Sequence, residues 1–361
     1  MNATRYPEAL LVLPHLYVQN ANAISSPLTH GFPSITAFVG LMWALQRKLD
    51  RRGIPLKLEK VGVICHRHEE QAASGYVKTF RLTRNPVGKD GNTAAIVEEG
   101  RIHLDMTVIF QVTQPVEPGK RSDLTSGNEE RLKEWAEEIG VIVSSMRIAG
   151  GTILPPVRGQ RAPWMEVLPD DSSEQVNTFV RWRRRWLPGY ALVERSGMLA
   201  ERHRKLRETR PEATLLDAWL HAARFNYQPD VEKTSKDVTT GSEAQHVESK
   251  KVHWSDPARP KGSGWIVPIP VGYAALEKEP RPAGNVANAR DASIPFVFVE
   301  PVYSIGEWIS PHRLSSVNDL LWQPEFNAQK GLYRCCNRYR PDDQIEDEKI
   351  PDDDGKAPLA W

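Results

Sequence analysis

The chain has 361 residues, of which 40% are hydrophobic and 8% aromatic, a composition that builds globular domains and argues against wholesale disorder. No apolar run approaches the ~20 residues of a membrane-spanning helix, and residues 1–8 lack the cationic-then-apolar layout of a secretory leader, so a cytoplasmic address with no membrane partner is expected. The net charge of +1 conceals an asymmetry: residues 341–361 carry eight acids and two lysines, a charge of −6, which leaves +7 on residues 1–340.

The run ALLVLPHLYV (9–18) reads as a buried first strand. It leads into QNANAISSPLTHGFPS (19–34), whose Asn, Ser, Pro and Gly content marks an ordered loop. Ser34 is placed to cap a helix in which Ile35, Phe38, Val39, Met42, Leu45 and Leu49 recur at helical spacing until Gly53. Trp43, on the same helix, is assigned to the core. Strands are expected over 56–65, 76–82 and 101–112, and a second helix over 129–144. Strand, helix, strands, helix, strand is the order of a ferredoxin-like α+β fold.

The pattern is less regular beyond residue 155. RWRRRW (181–186) interleaves aromatic and basic residues, which suits either a face docking RNA or an acidic partner, or a solvated face with Trp182 and Trp186 turned into the core. A short strand follows at 190–193 and helices at 196–210 and 212–223. Residues 230–261 are polar and charged and read as a flexible excursion. Strands at 264–276 and 294–303 are interrupted by prolines, which favours edge positions.

The sequence holds no GxxxxGK[ST] phosphate loop, no HExxH helix and no GxSxG elbow. Cys65, Cys335 and Cys336 have the spacing of neither a zinc site nor a disulfide framework. The histidines of CHRHEE (65–70) lie in an extended segment whose side chains alternate faces, so they do not converge as i, i+4 ligands would. No metal and no cofactor is expected. His30, His66 and His312 remain available as acid–base groups for metal-independent RNA cleavage. Of the 47 basic residues 30 are arginine, whose planar fork suits phosphates and base edges, although a charge excess alone points only weakly to nucleic acid.

A chain-wide resemblance narrows these alternatives. QNANAISSPLTHGFPSITAFVGLMWAL (19–45), VGVICHRHE (61–69), TRNPVGKDGNTAAIVEEGRIHLD (83–105), MRIAGGTILP (146–155), RRWLPGYALV (184–193), PEATLLDAWL (211–220), GWIVPIPVGYAAL (264–276), NARD (288–291), GEWISPHRL (306–314), LLW (320–322) and KGLYR (330–334) resemble, in collinear order, the 5′-handle-binding subunit family of type I-F CRISPR (Csy) complexes. Residues 156–175, 230–261 and everything beyond 334 look particular to this sequence.

The resemblance implies a fold of the repeat-associated RNA-binding superfamily: a ferredoxin-like (RRM-like) palm with a protruding thumb hairpin and irregular C-terminal additions. It also implies a non-catalytic role, with the crRNA 5′ handle, the large subunit and an adjacent backbone subunit as partners and target DNA as a further one. The corresponding organisation is palm 1–82 and 101–155, thumb 83–100, helical insertion 156–229, excursion 230–261, C-terminal strands with an RNA-facing loop 262–340, and acidic tail 341–361. Candidate RNA contacts are Asn20, Asn22, Ser25, Ser26 and His30 in the N-terminal loop, and Arg67, Arg81, Arg84, Asn85, Arg101 and Arg147 around the thumb and palm. His312, Arg313 and Arg334 complete the set near the end of the fold. Directional Asn and Ser groups beside a helix start suit splayed single-stranded RNA, and the arginines suit its phosphates.

Overall fold

The computed structural model describes residues 8–341, apart from 78, 81–86, 88–89, 94–98, 117–120, 125–127, 170, 239–244, 258, 260–263 and 290, with the backbone alone at 172 and over 230–238 and 245–251. Arg81, Arg84 and Asn85, most of the expected thumb and the acidic tail from 342 onward therefore lie outside the described residues.

The first half of the chain forms β1 (Glu8–Asn22), a small hairpin of β2 (Ile24–Ser26) and β3 (Thr29–His30), α1 (Ile35–Arg52), β4 (Lys57–Glu70), the short pair β5 (Ala72–Ala73) and β6 (Thr79–Phe80), β7 (Arg101–Thr113), α2 (Glu129–Ser144), and β8 (Arg147–Ile148) with β9 (Gly151–Ile153). Local chemistry accounts for the helices. The Ser34 hydroxyl accepts the Thr36 N–H at 3.2 Å, Gly53 closes α1 in the left-handed region at φ 70°, and Arg51 and Arg52 sit at its negative end. Asn128 caps α2, with Glu129 and Glu130 in the first turn. Between β8 and β9 the chain reverses in two residues, Ala149 (φ 48°) and Gly150 (φ 78°), the geometry of a tight hairpin turn.

β1, β4, β7 and β9 lie in the antiparallel order β9-β1-β7-β4. The central strands bury unbroken runs, 9–14 in β1, 61–65 in β4 and 106–112 in β7, because both faces of this sheet are covered. Phe38, Leu45, Leu49, Trp135 and Ile139 of α1 and α2 pack one face against Leu11, Val63 and Phe110. Phe179, Trp182 and Trp186 pack the other against Leu10, Val12, Ile64 and Ile109.

The second half adds β10 (Trp164–Val167), α3 (Ser172–Arg185), β11 (Tyr190–Glu194), α4 (Ser196–Thr209), α5 (Leu215–Ala223), β12 (Gln228–Val238), β13 (Gln245–Ser255), β14 (Trp265–Ala275), β15 (Val299–Ile309), a 3-10 turn at Pro311–Arg313, α6 (Val317–Leu320), β16 (Trp322–Asn327) and β17 (Leu332–Asn337). The sheet continues from β4 through β16, β17, β14 and β15 to β11. It then returns to its own start: the second edge of β4 pairs with Trp322 at Val61 and with Ala191 and Tyr190 at Ile64 and Cys65. Six strands thus close into a ring, which removes sheet edges that would otherwise be open.

The structure corrects several sequence expectations and decides or details others. Trp43 is 47% exposed and so lies outside the core. RWRRRW resolves to the structural alternative, with Trp182 and Trp186 fully buried and Arg184 exposed. The 264–276 strand is β14, which lies between β15 and β17 instead of at an edge. The strand expected over 76–82 is described only as the two residues of β6, and the one expected over 294–303 begins at Val299. Within 230–261 the backbone forms a two-stranded ribbon, β12 with β13, that pairs with no other described strand.

Candidate nucleic-acid interface

Strand register gathers much of the expected RNA-facing set at one end of the four-stranded sheet. Asn22 lies opposite Arg101, Glu70 opposite Ile102, Gln19 opposite Thr152, and Thr152 opposite Arg147. This is also the end at which β4 finishes and β7 begins.

The N-terminal loop is fixed from several sides. Asn22 N–H donates to Ala149 O at 2.9 Å, Ala23 N–H to Gly100 O at 2.9 Å and Gly31 N–H to Ala23 O at 2.8 Å. Gly100 permits this contact, since a Cβ there would fall 2.7 Å from Ile24 Cγ1. Most of the loop's polar side chains serve the loop itself. Asn22 Nδ2 donates to Ile24 O at 2.7 Å while its Oδ1 accepts Ile24 N–H at 3.1 Å; Ser25 Oγ donates to Phe32 O at 3.2 Å. Ser26 Oγ lies 2.7 Å from Thr29 Oγ1 and accepts Leu28 N–H at 3.2 Å. Asn20 differs. It sits at a bulge in β1 with φ 57°, its N–H donates to His103 Nδ1 at 3.1 Å, and the residue is exposed.

Three arginines surround this loop. Arg67 is 79% exposed and its nearest carboxylate, Glu69, lies 3.9 Å away. Arg147 is exposed, with Nη1 3.4 Å from Gly150 O. Arg101 is held by Glu99 through both Nε and Nη2. A shallow groove lined by Tyr17, Gln19, Arg67, Glu69 and His103 runs beside Asn20. Gln19 and His103 were not singled out by the sequence, because their place in the groove comes from the pairing of β1 with β7.

Comparison with known proteins decides the family. The family model for CRISPR-associated protein (Cas_Csy2) matches residues 11–335, from the first strand into the last. "CRISPR-associated protein Csy2" of Pseudomonas aeruginosa (strain UCBPP-PA14) is 42% identical over 334 residues, covering 91% of this chain and 95% of that protein. The chain belongs to the Csy2 family.

In this Csy2-family chain Arg334, His312 and Arg313 lie in or beside the other half of the sheet. Arg334, on β17, is paired with the buried carboxylate of Glu194, which also accepts from Ser304 Oγ at 3.1 Å and Asn337 N–H at 3.3 Å. Glu194 is buried and Arg334 is about one-third exposed, and neutralising that buried carboxylate gives Arg334 a structural task. His312 lies 2.7 Å from Ser310 Oγ, and Arg313 is half-exposed 4.0 Å from Glu307, both on the 3-10 turn after β15.

His30 is exposed at the end of β3, its ring 4.9 Å from Phe80. His66 is enclosed. Its Nδ1 donates to Pro188 O at 2.7 Å, its Nε2 accepts from Thr107 Oγ1 at 2.8 Å, and burial holds it below the ordinary imidazole range. Burial also pushes the Cys65 thiol up to about 12, so it remains protonated. Among the described residues no three His, Cys, Asp or Glu side chains converge to hold a metal ion, and no helix is long and apolar enough to cross a membrane.

Proposed function

We propose that this Csy2-family chain is the subunit of a type I-F CRISPR complex that grips the 5′ handle of the crRNA without cutting it. The observation that carries this reading is the meeting of the hydrogen-bonded N-terminal loop, exposed Asn20, and Arg67, Arg101 and Arg147 at the end of the sheet where β4 finishes and β7 begins. Phosphates of a single strand fit the arginines, and splayed bases fit the directional groups of the loop. The element order β1, α1, β4, β7, α2, β9 supports a ferredoxin-like palm, with the thumb expected over 83–100. The large subunit, an adjacent backbone subunit and target DNA are the further partners of this reading.

The absence of cleavage is supported by the state of His66. Both of its ring nitrogens are used inside the fold, so taking a substrate proton would break the bond to Thr107 or Pro188. Incubating the purified chain with labelled repeat RNA in a chelator tests the reading. Retention of intact RNA is expected; sequence-specific cleavage would replace the binding subunit with a metal-independent endoribonuclease, and absence of retention would overturn RNA binding.

A further inference from the structure

A cleft of about 310 Å³ opens where β3, β4, β11, β14 and β15 meet, and its rim includes Thr29, His30 and Gly31 of the N-terminal hairpin. Its wall is aromatic. Trp265, 47% exposed, has ring centroids of Tyr190 at 5.8 Å, His68 at 6.0 Å and Trp308 at 6.4 Å, and Trp308 in turn meets Phe32 edge-on at 4.8 Å. Tyr190 is also 47% exposed. These rings are held from behind by strand pairing: Trp265 lies opposite Trp308 on β15, and Tyr190 opposite Cys65 on β4. Two large rings are thus fixed in place with much of their surface open to a ligand.

The charges of the cleft restrict what that ligand is. Among the described residues no lysine or arginine lines it; its ionisable groups are His30, His66, His68, Tyr190, Glu70 and the buried thiol of Cys65. A wall with a carboxylate and no fixed cation disfavours a phosphate. A flat, uncharged ring system that stacks on indole and phenol fits it, and stacking of this kind accepts any base because every base has a π face.

We propose that this cleft takes one unpaired nucleobase of the bound RNA, stacked on Trp265 and Tyr190, with His30 and His68 at its edge. The proposal rests on the RNA-binding reading above and adds where a base goes, as distinct from where phosphates are held.

The test uses the full chain and a fluorescently labelled single-stranded RNA carrying the 5′ handle, with W265A, W265F and Y190A and circular dichroism to establish folding. W265A should weaken binding by about ten- to a hundredfold, the range for losing one stacked base. W265F should retain part of the affinity, and the salt dependence should stay as in the parent because no phosphate contact is lost. An abasic RNA scan should find one position whose removal weakens the parent protein but costs W265A nothing further. Folded W265A and Y190A that bind every RNA as the parent does would overturn the cleft proposal and leave RNA binding standing. A flattened salt slope in W265A would assign the cleft to phosphate instead. Failure of the parent chain to retain RNA would remove the RNA-binding reading and the cleft proposal together.

Discussion

The imidazoles of His15 and His66 stack with centroids 4.2 Å apart and planes inclined by 24°. Thr107 joins them, since its hydroxyl accepts the His15 backbone N–H at 3.3 Å and donates to His66 Nε2 at 2.8 Å, while Asp105 Oδ1 lies 3.0 Å from His15 Nδ1. A neutral His66 can accept the Thr107 hydroxyl at Nε2, and burial favours that neutral form.

A pH dependence follows. Burial holds the His66 pKa below its ordinary value of about 6.5, so the unfolded chain binds this proton more readily than the native one. Its contribution to stability is complete above about pH 6.5 and is lost as pH falls from there toward the depressed native value. Denaturant midpoints measured from about pH 7.5 to 5 should fall, and His66→Gln should flatten that fall by up to one proton's worth, about 1.4 kcal/mol per pH unit. Parallel profiles for parent and variant would show that His66 does not titrate with unfolding.

The closure of the strand ring depends on Trp322. Its ring is fully buried, it pairs with Val61 of β4, and its Nε1 donates to Leu192 O on β11 at 2.9 Å. Trp322→Phe keeps most of the volume and removes the donor, with an expected cost of about 1–3 kcal/mol. Trp322→Ala should cost more, about 3–5 kcal/mol, because a cavity opens at the seam. Urea unfolding measures both, and equal midpoints for the parent and Trp322→Phe would mean the seam does not depend on this hydrogen bond.

Local signals in the sequence were reliable where the chemistry is local. Ser34 and Gly53 bound α1 because a hydroxyl cap and a left-handed glycine act within one turn. Trp43 was misplaced by residue type, although the spacing of Phe38, Met42, Leu45 and Leu49 puts position 43 on the opposite side of the helix. The prolines of β14 gave a partial truth: β17 pairs only with Gly272–Ala274, so Pro268 and Pro270 fall where β15 alone is the paired strand. The ring was illegible because it hangs on a few pairings between distant segments, Val61 with Trp322 and Cys65 with Tyr190. Family motifs marked the N-terminal loop, but could not show that Asn22, Ser25 and Ser26 are engaged by its own backbone and hydroxyls.

Arg334 and Glu194 give a test of structure against RNA contact. Arg334→Met leaves a carboxylate that is 4% exposed without its cation and should cost about 3–5 kcal/mol. Adding Glu194→Gln should restore part of the loss, since no uncompensated charge then remains buried. For the folded fraction the salt dependence of RNA binding should be unchanged. A reduced slope in the folded variant would make Arg334 a phosphate contact after all.

Arg67 and Arg147 are the exposed cations nearest the loop and have weak or no ionic partners among the described residues. Replacing both with Ala should leave thermal stability within about 0.5 kcal/mol of the parent, as expected for surface positions. Guide-RNA affinity should fall, and the plot of log affinity against log salt should flatten by about one unit for each lost phosphate contact. An unchanged slope would take both residues out of the RNA interface.

Asn20 and Asn22 should separate in their effects, although both were read from one polar stretch. Asn22 closes a turn on Ile24 through two hydrogen bonds, so Asn22→Ala loosens the loop and should weaken binding to every RNA while lowering stability by about 1 kcal/mol. Asn20 is exposed at a bulge in the left-handed region, where Asn is tolerated and most other side chains are strained. Asn20→Gly keeps that backbone and removes only the amide, which isolates its contribution to recognition. An amide brings directional hydrogen bonds without net charge, so Asn20→Gly should cost about 1–3 kcal/mol on the correct handle, less on a scrambled one, and leave the salt slope unchanged. Titrating both variants against both RNAs gives the four affinities needed. Equal losses on the two RNAs for Asn20→Gly would mean that Asn20 touches the backbone of the strand, and no loss at all would leave the bulge as a feature of the fold alone.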